Sequence, residues 1–164
     1  MTRLLTRATA PTLILALALT VAACGREAGE TTTPKTTESE LAFGSPADAA
    51  NADRVIEIRT TDALRFEPAD ITVALGETVT FRFNNDGAVV HDFTLGDQAT
   101  QDEHESEMSE MGGMDHDEPN VTTIPAGETV ELTWTFDGEG TVLVGCHQPG
   151  HYAAGMTGRI TVEG

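Results

Sequence analysis

The stretch Val144-Gly145-Cys146-His147-Gln148-Pro149-Gly150-His151-Tyr152-Ala153-Ala154-Gly155-Met156 constrains this chain more than any other. It sets a thiol, an imidazole and a thioether in one glycine-rich loop at the spacing Cys-x4-His-x4-Met. The segments on either side, Thr141 to Cys146 and Gly158 to Val162, read as strands. Soft sulfur stabilises Cu(I) while imidazole also serves Cu(II), so a thiolate with two imidazoles in a plane and a weak axial thioether suits a redox-active copper ion. The loop supplies that set except for one imidazole. The plain alternative is a turn that happens to hold a surface histidine and a core methionine; the coincidence of cysteine, Pro-Gly turn and spacing argues against it.

The rest of the chain from Arg54 onward consists of short segments rich in Val, Ile, Thr and Phe, separated by Gly, Pro, Asn and Asp. Strands are expected at Val55 to Thr60, Ala63 to Phe66, Asp70 to Ala74, Thr78 to Asn84, Val89 to Leu95, Val121 to Ile124 and Thr129 to Phe136, in addition to the two that flank the loop. Val79, Phe81 and Phe83 alternate with Thr78, Thr80 and Arg82, and Leu132, Trp134 and Phe136 share one face, which is the pattern of half-buried strands. Turn residues at Leu75-Gly76-Glu77, Asn84-Asn85-Asp86-Gly87, Pro125-Ala126-Gly127-Glu128 and Asp137-Gly138-Glu139-Gly140 predict hairpins. No segment reads as a helix. The expected fold is therefore all-β, a Greek-key β-sandwich of two facing sheets.

The Cys146-His151-Met156 loop, with Pro149-Gly150 before its histidine and Gly155-Met156-x-Gly158-x-Ile160-x-Val162 after it, closely resembles the type 1 copper loop of cupredoxins. Rusticyanin and sulfocyanin have similar cysteine-to-histidine spacing, and the resemblance extends over most of residues 53 to 164, excluding the insertion at 97 to 120 and including the upstream strand Val89-Val90-His91-Asp92-Phe93. It implies one type 1 copper ion held by His91, Cys146, His151 and Met156. His91 alternates with Val89 and Phe93, so without the resemblance it also reads as a core-facing residue. The family likeness further implies that His151 reaches a hydrophobic surface patch where electrons cross, that Met156 tunes the potential, and that Phe93, Pro149, Tyr152, Ala153 and Ala154 line a dry shell. Asp92 stands where relatives often carry Asn or Ser, a neighbour that ties the copper loop down. His147 follows the thiol directly, and strand alternation turns it away from the metal.

Residues 1 to 23 have the charged, apolar and small-residue zones of an export signal, and Val21-Ala22-Ala23-Cys24 resembles a bacterial lipobox that leaves Cys24 acylated. Residues 24 to 52, rich in Thr, Glu, Ala, Gly and Pro, read as a flexible tether; the alternative is an ordered element around Leu41-Ala42-Phe43. With Cys24 assigned to lipid and Cys146 to metal, no disulfide is expected. The formal charge of −18, from 27 acidic against 9 basic residues, argues against nucleic acid and for a basic redox partner such as a cytochrome or copper domain. The expected setting is the outer, periplasmic or cell-surface face of a membrane, with the protein acting as a monomer.

The stretch from residue 97 to 120 breaks the strand pattern and reads as a mobile acidic loop. It carries His104, Met108, Met111, Met114 and His116, which form a candidate secondary copper site because thioethers favour Cu(I). Copper oxidases and nitrite reductases need further histidine-rich sites and more domains, so an enzyme is not expected. A single-electron carrier is the leading expectation, a copper-trafficking protein the second, and a metal-free adhesion sandwich the third.

Overall fold

A computed structural model describes residues 41–111 and 118–164. The export signal, the lipobox with Cys24, the first part of the tether, and Met114 with His116 lie outside the described residues. The elements in order are β1 (Ser45–Pro46), a 3-10 turn (Ala49–Asn51), β2 (Arg54–Thr61), β3 (Arg65–Glu67), β4 (Asp70–Ala74) and β5 (Thr78–Asn85). There follow β6 (His91–Gly96), α1 (Gln98–Met111), β7 (Val121–Ile124), β8 (Thr129–Thr135), β9 (Gly140–Gly145) and β10 (Thr157–Glu163).

The strands form two five-stranded sheets, ordered β1-β8-β5-β2-β3 and β4-β10-β9-β6-β7. Their facing sides build the core from the alternating apolar residues. Ile58, Val79, Phe81, Phe83 and Trp134 come from the first sheet, and Val73, Phe93, Leu95, Val142, Val144 and Ile160 from the second. Phe93 joins the layers, with its ring centroid 4.5 Å from Phe83 and 5.6 Å from Phe81. Burial of such rings contributes on the order of 1.5–3 kcal/mol each.

Three expectations change. The turns at Leu75-Gly76, Asn85-Gly87, Pro125-Glu128 and Asp137-Gly140 are real, but each carries the chain from one sheet to the other. β2 pairs in parallel with β5, and β4 with β10, so these corners are sandwich crossings where hairpins were expected. Turn chemistry fixes where the chain reverses; it does not say which strand becomes the neighbour.

Residues 41–52, expected to belong to the tether, are instead built into the sandwich. β1 pairs with β8, Leu41 and Phe43 pack on the core, and Phe43 stacks on Trp134 at 5.6 Å. Gly44 adopts φ 140°, and a Cβ there would collide with the Thr135 carbonyl and the Trp134 indole. Only glycine lets the chain approach β8 this closely.

The acidic insertion is helical. Asp97 caps α1 by accepting hydrogen bonds from the Thr100 backbone N–H and hydroxyl, both at 2.9 Å. The Glu, Gln and Met that follow are good helix formers. Gln101, His104 and Met108 are buried and, with Glu105, occupy one face at i, i+3, i+4 and i+7. That face is mostly polar, which is why apolar periodicity did not reveal it.

Candidate metal centre

β6 and β9 are adjacent, with Thr94 opposite Gly145, so His91 and Cys146 stand at neighbouring strand ends. β9 and β10 are paired at Gly145 and Thr157, which makes the segment Cys146 to Met156 the connection between two hydrogen-bonded strands. The loop is held by its own backbone: Cys146 N–H donates to Met156 O at 3.1 Å, His151 N–H to Gln148 O at 2.8 Å, and Met156 N–H to His151 O at 3.0 Å. Gly150 and Gly155 turn it at φ 83° and 88°.

The side chains converge. Cys146 Sγ lies 3.3 Å from His151 Nδ1 and 4.0 Å from His91 Nδ1, and one donor atom from each of the three residues fits within 4.8 Å of the others. Met156 is buried in the same cluster as Cys146. His91, Cys146 and Met156 are enclosed, whereas His151 is partly exposed.

Burial sets the protonation states. Desolvation, and then the neighbouring Asp92 carboxylate, push the Cys146 thiol up to about 12. Desolvation holds both His91 and His151 below the ordinary imidazole value, and in His91 the second imidazole adds to it. Neutral imidazole is the form that binds metal, and a cation offsets the cost of a buried thiolate. Soft sulfur and two imidazole nitrogens already gathered around one point, with a thioether beside them, fit copper.

Asp92 braces the site from behind. Its backbone N–H points at Cys146 Sγ at 3.4 Å, and its carboxylate accepts the His147 N–H at 2.8 Å and Gln148 Nε2 at 3.2 Å. The aspartate therefore does the tying that Asn or Ser does in relatives. Desolvation by burial raises its own value to about 6.

A family model for copper binding proteins of the plastocyanin/azurin family matches residues 52–163. The chain belongs to that family. The copper-resistant cuproprotein CopI of Rubrivivax gelatinosus is 39% identical over 126 residues, covering 77% of this chain and 76% of that protein. Auracyanin B superposes with a TM-score of 0.62 at 25% identity, covering 76% of this chain and 99% of its own. Auracyanin A, a "blue" copper protein of Chloroflexus aurantiacus, superposes with a TM-score of 0.58 at 32% identity, covering 66% and 98%. This chain is thus a copper-binding cupredoxin, and His91, Cys146, His151 and Met156 lie together as in a type 1 copper site.

The remaining predicted residues divide. Phe93 is in the core between the sheets. Tyr152 stacks on His147 at 4.5 Å, while Pro149, Ala153 and Ala154 are exposed and so form surface rather than a dry shell. His147 faces the helix: its Nδ1 lies 2.7 Å from Glu105 Oε2 and its Nε2 2.8 Å from Gln101 Oε1. The proposed methionine-histidine copper cluster is not assembled among the described residues, because His104 and Met108 are buried on the inner face of α1. Sequence reasoning missed Gln101 and Glu105. Their signal was the i, i+4 placement beside Asp97 as a cap, with Gly112-Gly113 beyond the helix.

Proposed function

We infer that this cupredoxin is an exported single-electron carrier, held by lipid on Cys24 to the outer face of a membrane, and not an enzyme. The observation that carries the reading is the asymmetry of exposure at the copper site. Three donors are enclosed by the sandwich, and only His151 approaches the surface, in a loop whose Pro149, Ala153 and Ala154 are exposed; Val89 and Val90, just before His91, are exposed as well. An apolar rim of that kind lets a partner approach the imidazole edge without displacing tightly bound water.

Copper in this site supplies a one-electron Cu(II)/Cu(I) couple. The protein keeps the donors in place for both oxidation states: the loop is pinned by backbone hydrogen bonds and by Asp92, so little has to move when charge changes. The Asp92 N–H aimed at Sγ stabilises negative charge on sulfur. Three strong donors and a thioether leave no open position for a substrate, which favours electron transfer over catalysis. The charge of −18 favours a basic partner.

The name of the CopI relatives supports a second reading, a role in copper handling. One experiment separates them. The copper-loaded protein is cycled against a basic cytochrome by stopped flow with a Cu(I) chelator present. An electron carrier takes one electron per chain, keeps its copper through repeated cycles, and slows as salt passes about 0.1 M, where the Debye length is roughly 10 Å. A protein that yields its copper to the chelator at each reduction is a copper carrier, and the electron-transfer reading falls.

A further inference from the structure

We propose that His104, Glu107 and Glu118 form a second metal site, for a divalent ion of the zinc or copper(II) class, in the cleft between α1 and the segment that leads into β7. One donor atom from each of the three lies within 4.8 Å of the others, and His104 Nδ1 is 3.5 Å from Glu118 Oε2. The cluster opens into a cleft of about 260 Å³, lined also by Leu41, Thr100, Glu103 and Asn120.

Two independent features point to a cation. The first is charge: Glu103, Glu107 and Glu118 share the cleft, and among the described residues its lining contains no lysine or arginine. The Glu107 and Glu118 carboxylates bring an oxygen each within 4.8 Å of the other, and a divalent ion between them turns like-charge repulsion into attraction. The second is preorganisation. His104 is only 2% exposed, its ring held edge-on against His147 at a centroid distance of 5.0 Å. Glu107 follows one helical turn later, so His104 and Glu107 project from the same face. The helix itself is fixed by Gln101 Nε2, which donates to Thr94 O at 3.0 Å and Leu143 O at 3.3 Å. On the opposite wall, Val121 N–H donates to Glu118 O at 3.1 Å and Asn120 Nδ2 to Leu95 O at 2.7 Å, which anchors Glu118 to the start of β7. Both walls are therefore set by the sandwich before any ion arrives.

Donor chemistry selects the ion. Two carboxylates alone would suit calcium or magnesium, but a buried imidazole shifts preference to borderline ions such as Zn(II) and Cu(II). No thioether belongs to the cluster, so it is not a Cu(I) site. It is distinct from the Cys146 centre in both location and chemistry, and His147, covalently next to Cys146, lies between the two.

The test is a calorimetric titration of Zn(II) into the full chain loaded with one equivalent of Cu(II), which the sulfur-nitrogen site takes first and which keeps zinc out of it. The expected result is one further equivalent of zinc. Its affinity falls at least tenfold in Glu107→Gln and in Glu118→Gln, both isosteric changes at partly exposed side chains, while the copper absorption is unchanged. In a Cys146→Ser background Glu118→Gln loses the same zinc equivalent, so the site stands or falls apart from the copper reading. Zinc binding that is absent, that survives both glutamine variants, or that is competed away by equal Mg(II) overturns the proposal and leaves His104 and Glu118 as an ordinary ion pair.

Discussion

Replacing Asp92 by Asn isolates what a buried carboxylate costs beside the copper ligands. Burial raises this carboxyl from its ordinary value of 3.8 to about 6. In an unfolded chain it ionises in the usual carboxylic range, so the folded, metal-free protein holds a carboxylate at neutral pH that is disfavoured by roughly 3 kcal/mol. The sign follows from the raised value: the folded state binds the proton more tightly, so stability is lost as pH rises through about 4 to 6. Asn keeps an acceptor for the His147 N–H and, with Gln148 turned over, a partner for its amide. Asp92→Asn should therefore stabilise the copper-free protein by up to about 3 kcal/mol at pH 7, and by almost nothing at pH 3.5. Asp92→Ala should do the reverse, since it leaves the buried His147 N–H without an acceptor at a cost of about 1–3 kcal/mol. Urea unfolding of the metal-free chain at both pH values reads the effect directly. An Asn variant that is less stable than wild type at pH 7, or a gain that does not change with pH, would refute the account of Asp92.

Three further outcomes follow from the same contacts. Gln101→Ala removes the hydrogen bonds that join α1 to Thr94, Leu143 and His147. It should speed amide exchange across α1 and cost about 2 kcal/mol while leaving the copper colour intact; unchanged protection of α1 would contradict the docking described. Asp97→Ala should cost about 1 kcal/mol through loss of the cap. Thr100 holds the Asp97 carboxyl below its ordinary value, so that difference is full above about pH 4 and disappears as pH falls further, which thermal unfolding against pH checks. Met156→Leu should shift the reduction potential with the visible band retained, because a weak axial ligand tunes the copper more than it holds it; an unchanged potential or loss of all copper would show a differently organised site.

The sequence was most legible where residue type and period both point one way. Phe81, Phe83 and Trp134 alternate with polar neighbours, and all three are buried where that alternation puts them. The Cys146 loop was legible because its donors are close in sequence. His91 was reached by family likeness, since its place beside Cys146 depends on β6 lying next to β9, a pairing across 55 residues. Strand neighbours were not legible at the corners, where Gly76 and Gly127 signal a reversal but not a change of sheet. The helix was hidden because its inner face carries Gln101 and Glu105, held by hydrogen bonds to His147 and to β-strand carbonyls, and His104, whose ring packs edge-on against His147. Such a face has no apolar period to read, and only its partners explain its burial.

The most direct test of a copper centre at His91, Cys146, His151 and Met156 is the visible spectrum of the protein loaded with one equivalent of Cu(II). Thiolate bonded to Cu(II) in this donor set predicts an intense visible charge-transfer absorption that Cys146→Ala abolishes. A colourless Cu(II) complex of the intact protein, or colour that survives loss of the Cys146 thiol, would contradict it.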